Sequence, residues 1–179
     1  MASPILAVSG LSRRRALAVG AGGMVCGLAT LHGPPAVLVN ASPSEPPGLY
    51  ARTADAAAVG RIVAFPLPAA GAAYVDRAMP YLRREPLLKA VAAGPGDRVC
   101  EGPQTLVING RPLAPVVARD HAGRLLPHWQ GCRALRADEL FVFSARVPNS
   151  FDSRYYGPVS KVSVLGVYQL VAPFTAGAA

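Results

Sequence analysis

Lysine is almost missing from this chain: of its 18 basic residues only Lys89 and Lys161 are lysines, and the other 16 are arginines. Histidine and cysteine occur three times each and tryptophan once. These shortages exclude a good deal of chemistry. His32, His121 and His128 form no cluster, and no cysteine or histidine has a partner at metal-ligand spacing, so a zinc site is not expected. The chain has no G-x-S-x-G elbow and no H-E-x-x-H. Its "GAGG" at 20–23 lies in an apolar run rather than between a strand and a helix, so no phosphate loop and no cofactor are called for. A Ser/His/Asp triad would have to draw on His121 or His128, both in a polar stretch, so a nucleophile in this chain needs another base.

The formal charge of +8 and the sequence pI near 10.0 would suit a nucleic-acid partner. Their distribution does not. Arg13, Arg14 and Arg15 stand directly before an apolar run, and the remaining charges are scattered without interleaved aromatics, so no nucleic acid is expected. The run itself, Ala16 to Leu31, is sixteen residues without a charge, which reads as a membrane-targeting signal with its arginines on the cytoplasmic side. As a helix it reaches about 24 Å, against a hydrocarbon core of about 30 Å. "PPAVLVNA" extends the apolar stretch, and no clean small-x-small cleavage site follows, which favours an uncleaved anchor over a cleaved signal peptide. The expected division is a basic cytoplasmic N-terminus over 1–15, a signal anchor over 16–39, a periplasmic domain over 40–172 and a loose tail over 173–179.

Beyond the anchor, short β-branched or alternating runs recur at 61–67, 87–93, 105–113, 139–145 and 161–171, each bounded by Gly, Pro, Asp or Asn. Asn109 and Gly110 are the pair preferred in a two-residue hairpin turn. The one convincing helical stretch is 72–84, interrupted by Pro80. The fold expected is mainly β, with one small helical insertion behind the anchor helix. Cys100 and Cys132 are the two cysteines of that domain; in an oxidising compartment such a pair most often bridges, the alternative being two unrelated buried thiols.

Three stretches carry candidate chemistry. "NASPSEPPGLY", 40–50, follows the apolar segment with no regular period, and Pro43, Pro46 and Pro47 can fix φ around Ser44. In "LLKAVAA", 87–93, an extended chain points Leu87, Lys89 and Val91 to one face, where an ammonium among apolar neighbours loses solvation. Such a lysine is a candidate base; the alternative is an edge-strand lysine that snorkels to water. "AAGPGDRV", 92–99, forms the turn that leaves this strand, and in "NSFDSRYYG", 149–157, Asp152 and Arg154 are two apart and can pair in extended chain.

Together these stretches resemble the type I signal peptidase family, and within it the branch of conjugative transfer peptidases, TraF. "SEPPGLY" is similar to that branch's serine loop, "KAVAAGPGD" from Lys89 to Asp97 to its lysine motif, and "NSFDSR" from Asn149 to Arg154 to its last motif, in the same order over 40–166. The paired cysteines and "NGRPL" also resemble this branch. The resemblance implies a signal-peptidase-like β-rich catalytic domain with Ser44 as nucleophile and Lys89 as general base. It further implies an oxyanion hole from the Ser44 N–H and the Ser42 hydroxyl, a Ser150 that orients the lysine, and a structural ion pair of Asp152 with Arg154. The implied setting is the bacterial inner membrane with the catalytic domain in the periplasm. The implied substrate is a membrane-bound propilin or preprotein, whose leader is removed and whose new ends are either joined into a ring or left linear. Ala90 follows the lysine where the family usually has arginine, and "SARVP" at 144–148 replaces the usual lead into the last motif. Glu45 stands where ordinary signal peptidases have methionine, which favours a dedicated substrate over general secretory processing. A catalytically inactive periplasmic scaffold is the reading from another class, and retention of Ser44, Lys89 and Ser150 together argues against it.

Overall fold

The structure, a computed structural model, describes residues 33–174. Most of the anchor expected over 16–39 and the last residues of the tail lie outside them. Among the described residues no helix is long and apolar enough to cross a membrane.

The chain forms β1 (Val37–Asn40), β2 (Gly48–Thr53), β3 (Ile62–Phe65), α1 (Ala69–Ala78), β4 (Leu87–Ala93), β5 (Arg98–Glu101), β6 (Thr105–Ile108) and β7 (Arg111–Pro115). It continues with β8 (Gly131–Ala134), β9 (Glu139–Val142), a single-turn helix α2 (Ser153–Tyr156), β10 (Val159–Ser160) and β11 (Gly166–Pro173). Seven strands make one antiparallel sheet in the order β1-β2-β11-β3-β4-β9-β10, and four make a smaller one in the order β7-β6-β5-β8. The middle of the large sheet is apolar on both faces, which is why β3 and β9 read as continuous hydrophobic runs: Val63, Ala64, Phe65, Leu140, Phe141 and Val142 are all fully buried.

The helix starts at Ala69 rather than 72 and ends at Ala78, and Pro80 opens a separate 3₁₀ turn, Pro80–Arg83. A proline has no N–H for the ladder and clashes with the preceding turn, so the one expected helix becomes two pieces. The β6–β7 hairpin turns at Asn109 and Gly110 with φ of 51° and 77°, the left-handed pair that a two-residue hairpin needs.

Both ends of the expected domain move. Val37–Asn40, counted with the anchor except for its last residue, pairs with Gly48–Ala51 as an edge strand, because Pro34 and Pro35 bar helix and the four residues after Ala36 alternate in burial. At the other end β11 runs to Pro173, and the Phe174 N–H donates to the Pro47 carbonyl at 2.9 Å, so 173 and 174 belong to the sheet rather than to a loose tail.

In the small sheet Cys100 and Cys132 stand opposite each other on β5 and β8 and form a disulfide, closing a sequence separation of 32. Beside it Glu101 is buried with neither carboxylate oxygen hydrogen-bonded among the described residues, and His128 Nδ1 is 3.9 Å away. Burial pushes the Glu101 carboxyl up to about 8; Arg154 opposes the shift and Asp152 adds to it.

Two measurements follow. Closing a loop of this length contributes about 3–4 kcal/mol, so Cys100→Ser/Cys132→Ser is expected to lose that much stability in urea, and an intact domain to show no alkylatable thiol at either position by mass. Glu101 holds in the folded state a proton that the unfolded chain releases near its ordinary 4.5, so the stability tied to that proton falls as pH rises from about 5 to 8. Glu101→Gln is expected to match wild type near pH 4 and to gain on it steadily across that window; a parallel pair of melting curves would refute the shift.

Candidate active site

The segment between β1 and β2 is held by side chains from its own two ends. Asn40, the last residue of β1, donates Nδ2 to the carbonyls of Ser42, Glu45 and Pro46 at 3.0, 3.0 and 3.1 Å and accepts the Ser42 N–H on Oδ1 at 3.0 Å. A short amide side chain facing its own following backbone is the usual way an asparagine organises a turn. From β2, fully buried Tyr50 donates its hydroxyl to the Pro46 carbonyl at 2.8 Å. At the exit, a Cβ on Gly48 would overlap the Ala172 carbonyl oxygen and stand 2.7 Å from Leu170 Cδ1, so only glycine lets this loop close against β11.

So framed, Ser44 is 5% exposed. Its Oγ receives Lys89 Nζ at 2.5 Å and lies 3.0 Å from the Ser42 Oγ, and its N–H donates to that same Ser42 oxygen at 3.3 Å. Lys89 comes from the middle of β4, opposite Val63 on β3, with 6% of its surface exposed. Burial pushes its ammonium below the ordinary lysine value; the carboxylates of Asp152 and Glu45 pull the other way and Arg154 adds to the fall. Ser42, Ser44 and Lys89 line one cleft of about 850 Å³, whose wall includes Leu38, Asn149 and Ser150.

Glu45, next in the chain, is equally buried and accepts the Ala90 N–H on Oε1 at 2.9 Å. It thereby fills a hydrogen-bonding position on β4 beside Lys89. Burial raises its carboxyl, while the Ala90 N–H, Lys89 and Arg146 act against the rise.

Behind the loop lies a third set of groups. Asp152 and Arg154 are both fully buried, and the guanidinium meets the carboxylate at two points, 2.8 and 2.9 Å. They meet not along extended chain but because Asp152 caps α2, turning Arg154 back over it. The other guanidinium hydrogens go to the carbonyls of Pro115, Pro148 and Ser150, so one side chain ties the end of β7 to the loop that leads into α2. Asp152 Oδ2 also accepts the Ser144 N–H at 3.3 Å, and the Ser144 hydroxyl donates to the carbonyl of Ser44 itself.

Ser150 departs from its expected contact. It is buried and lines the cleft, but its Oγ has no hydrogen-bond partner among the described residues, so it makes no bond to Lys89. Ser144 and Asn40 hold the serine loop instead, and neither is singled out by the sequence reading. Asn40 had a signal in its position two residues before Ser42; Ser144 has none, because its contact spans a hundred residues.

A small β domain that buries a lysine against a loop serine defines a candidate hydrolytic site, and comparison with known proteins supplies the class. The chain belongs to the signal peptidase family, peptidase S26, whose family model matches residues 26–172. Its curated relatives place it in the TraF branch of that family. It is 36% identical to a conjugal transfer protein TraF of Agrobacterium tumefaciens, over 76% of this chain and 82% of that one. A probable conjugal transfer protein TraF of Sinorhizobium fredii is 32% identical over 76% and 77%, and a plasmid transfer protein TraF of Escherichia coli 29% identical over 90% and 95%.

Removing one partner of a fully buried ion pair strands the other, at a typical cost of about 3–5 kcal/mol. Asp152→Asn is therefore expected to lose that much in chemical denaturation, and to cost more than Asp76→Asn, whose partner Arg83 is about half exposed.

Proposed function

We propose that the protein is a membrane-anchored serine endopeptidase that removes the leader of a pilin-type precursor in conjugative transfer, with Ser44 as nucleophile and Lys89 as general base. The observation that carries this reading is the 2.5 Å approach of Lys89 Nζ to Ser44 Oγ inside a cleft of about 850 Å³.

The steps follow from the arrangement. With Nζ charged, the amine has no lone pair and can only donate to Ser44 Oγ, 2.5 Å away. Loss of that proton, which burial favours, reverses the bond: the neutral amine accepts the Ser44 hydroxyl hydrogen as Oγ attacks the scissile carbonyl. The negative oxygen that forms takes the Ser44 N–H, displacing the Ser42 oxygen that accepts it at 3.3 Å, and the Ser42 hydroxyl turns to donate to the same atom. Lys89 then returns its proton to the departing amine. In a leader cut the acyl group on Ser44 is the leader, and water releases it while the mature part leaves linear. A ring forms where a cut at the far end of the pilin puts the pilin's own carbonyl on Ser44, the trailing peptide leaves as the amine, and the pilin's N-terminal amine displaces Ser44 Oγ. The support for a dedicated transfer substrate is the set of TraF relatives, together with Glu45 in place of the methionine of ordinary signal peptidases.

The test uses the full chain in detergent with a synthetic propilin peptide spanning the cleavage point. Ser44→Ala and Lys89→Ala are each expected to lose at least about 10²–10⁴-fold in kcat/KM with the fold intact by circular dichroism. Normal cleavage by both variants sinks the assignment. In the wild type kcat/KM rises with pH as Lys89 deprotonates, and the rising limb lies below 10.5, the value of an ordinary lysine.

A further inference from the structure

A second concavity adjoins the cleft and no step above uses it. This groove, of about 740 Å³, is floored by Ala92, Ile108, Leu113 and Phe143, with Arg111 and Arg146 on its rim. Its volume is that of a ligand site rather than a packing defect. Leu113, a large apolar side chain, keeps 45% of its surface exposed there. Neither Arg111 nor Arg146 is ion-paired among the described residues; Arg146 donates Nε to the Pro43 carbonyl at 3.3 Å.

The groove and the cleft meet at the reacting pair. Ser44 and Lys89 line the cleft, while the residue after each of them, Glu45 and Ala90, lines the groove. The bond from the Ala90 N–H to Glu45 Oε1 forms the sill between the two. An extended peptide whose scissile carbonyl faces Ser44 therefore has one half in the cleft and passes over this sill with the other. The cleft is the side lined by Leu38 and Val39 of β1, the strand that follows the N-terminal apolar segment in the chain. The apolar leader belongs on that side, and the mature part of the substrate on the other.

We propose that the groove is the binding site for the first residues of the mature substrate, and that it selects an apolar side chain for the floor followed within three residues by an acidic one for Arg111 and Arg146. An extended chain advances about 3.3 Å per residue, so three residues span about 10 Å along the groove. Glu45, buried and bonded through Oε1 to the Ala90 N–H, lies within electrostatic reach of Arg146 and forms an ion pair with neither arginine among the described residues, so Arg111 carries the larger share of the free rim charge. The inference rests on the peptidase reading above, and its test separates the two.

Full-chain protein in detergent is given two peptides with the same leader half and mature halves that differ only in Glu or Lys at the second to fourth positions after the scissile bond. The Glu peptide is expected to have a kcat/KM about fivefold higher at low salt, with the ratio shrinking as salt is added. Arg111→Glu is expected to reverse the order of the two. Equal rates, or an order that Arg111→Glu leaves unchanged, overturn the groove and leave the Ser44 and Lys89 assignment standing. A readout independent of cleavage is binding of the mature half alone to Ser44→Ala protein, followed by fluorescence anisotropy. The same charge order there supports the groove even if no peptide is cut, an outcome that would overturn the peptidase reading instead; absence of that order overturns the groove.

Discussion

Stripping a lysine ammonium of water costs several kcal/mol, and this domain accepts that cost at one place, where Lys89 sits 6% exposed against the Ser44 hydroxyl. Much of the surrounding structure bears on that contact. The lysine stands on β4 between β3 and β9 near the middle of the large sheet, so its backbone cannot drift toward solvent. Asp152 and Glu45 hold negative charge near it without hydrogen-bonding its ammonium, whose one hydrogen bond among the described residues goes to Ser44. A direct ion pair with either would keep the amine charged; their distance leaves burial as the dominant influence.

The serine side of the contact is built by relay rather than by mass. Arg154 locks Asp152, Asp152 receives the N–H of Ser144, and Ser144 holds the carbonyl of Ser44. From the opposite side Asn40 and Tyr50 satisfy the carbonyls of the loop that the prolines leave without regular partners. The prolines limit the conformations that the loop can take, and the side chains select among them. Ser44 is thus placed by hydrogen bonds from two strands of the large sheet, β1 and β2, and from the loop that follows a third, β9.

How much of this is legible in the sequence depends on distance along the chain. Strand β4 reads with its boundaries, 87–93, because seven apolar or small residues with one lysine have few other ways to pack. The Asn109–Gly110 turn reads because only such a pair tolerates its two positive φ angles. Strands β5 and β8 escape notice, since "RVCE" and "GCRA" alternate over only four residues each and owe their pairing to each other. β1 escapes because its valines look like the end of the apolar run before them. At the site, Asp152 and Arg154 are close in sequence and their pairing is readable, although the geometry is a helix cap and not an extended strand. Ser144 is not readable: nothing in "LFVFSA" tells that its hydroxyl meets a carbonyl a hundred residues earlier.

Strand β11 is the last element of the described chain, yet it lies between β2 and β3 and touches the serine loop through Gly48 and Pro47. A nascent chain therefore carries Ser44 and Lys89 long before it can bring their strands into one sheet. Until Gly166–Pro173 is inserted, β2 and β3 have no common neighbour and the loop lacks the wall it closes on. The reacting pair therefore depends on a strand made more than seventy residues after Lys89, and a growing chain cannot close the sheet around the two groups before Gly166–Pro173 has been made.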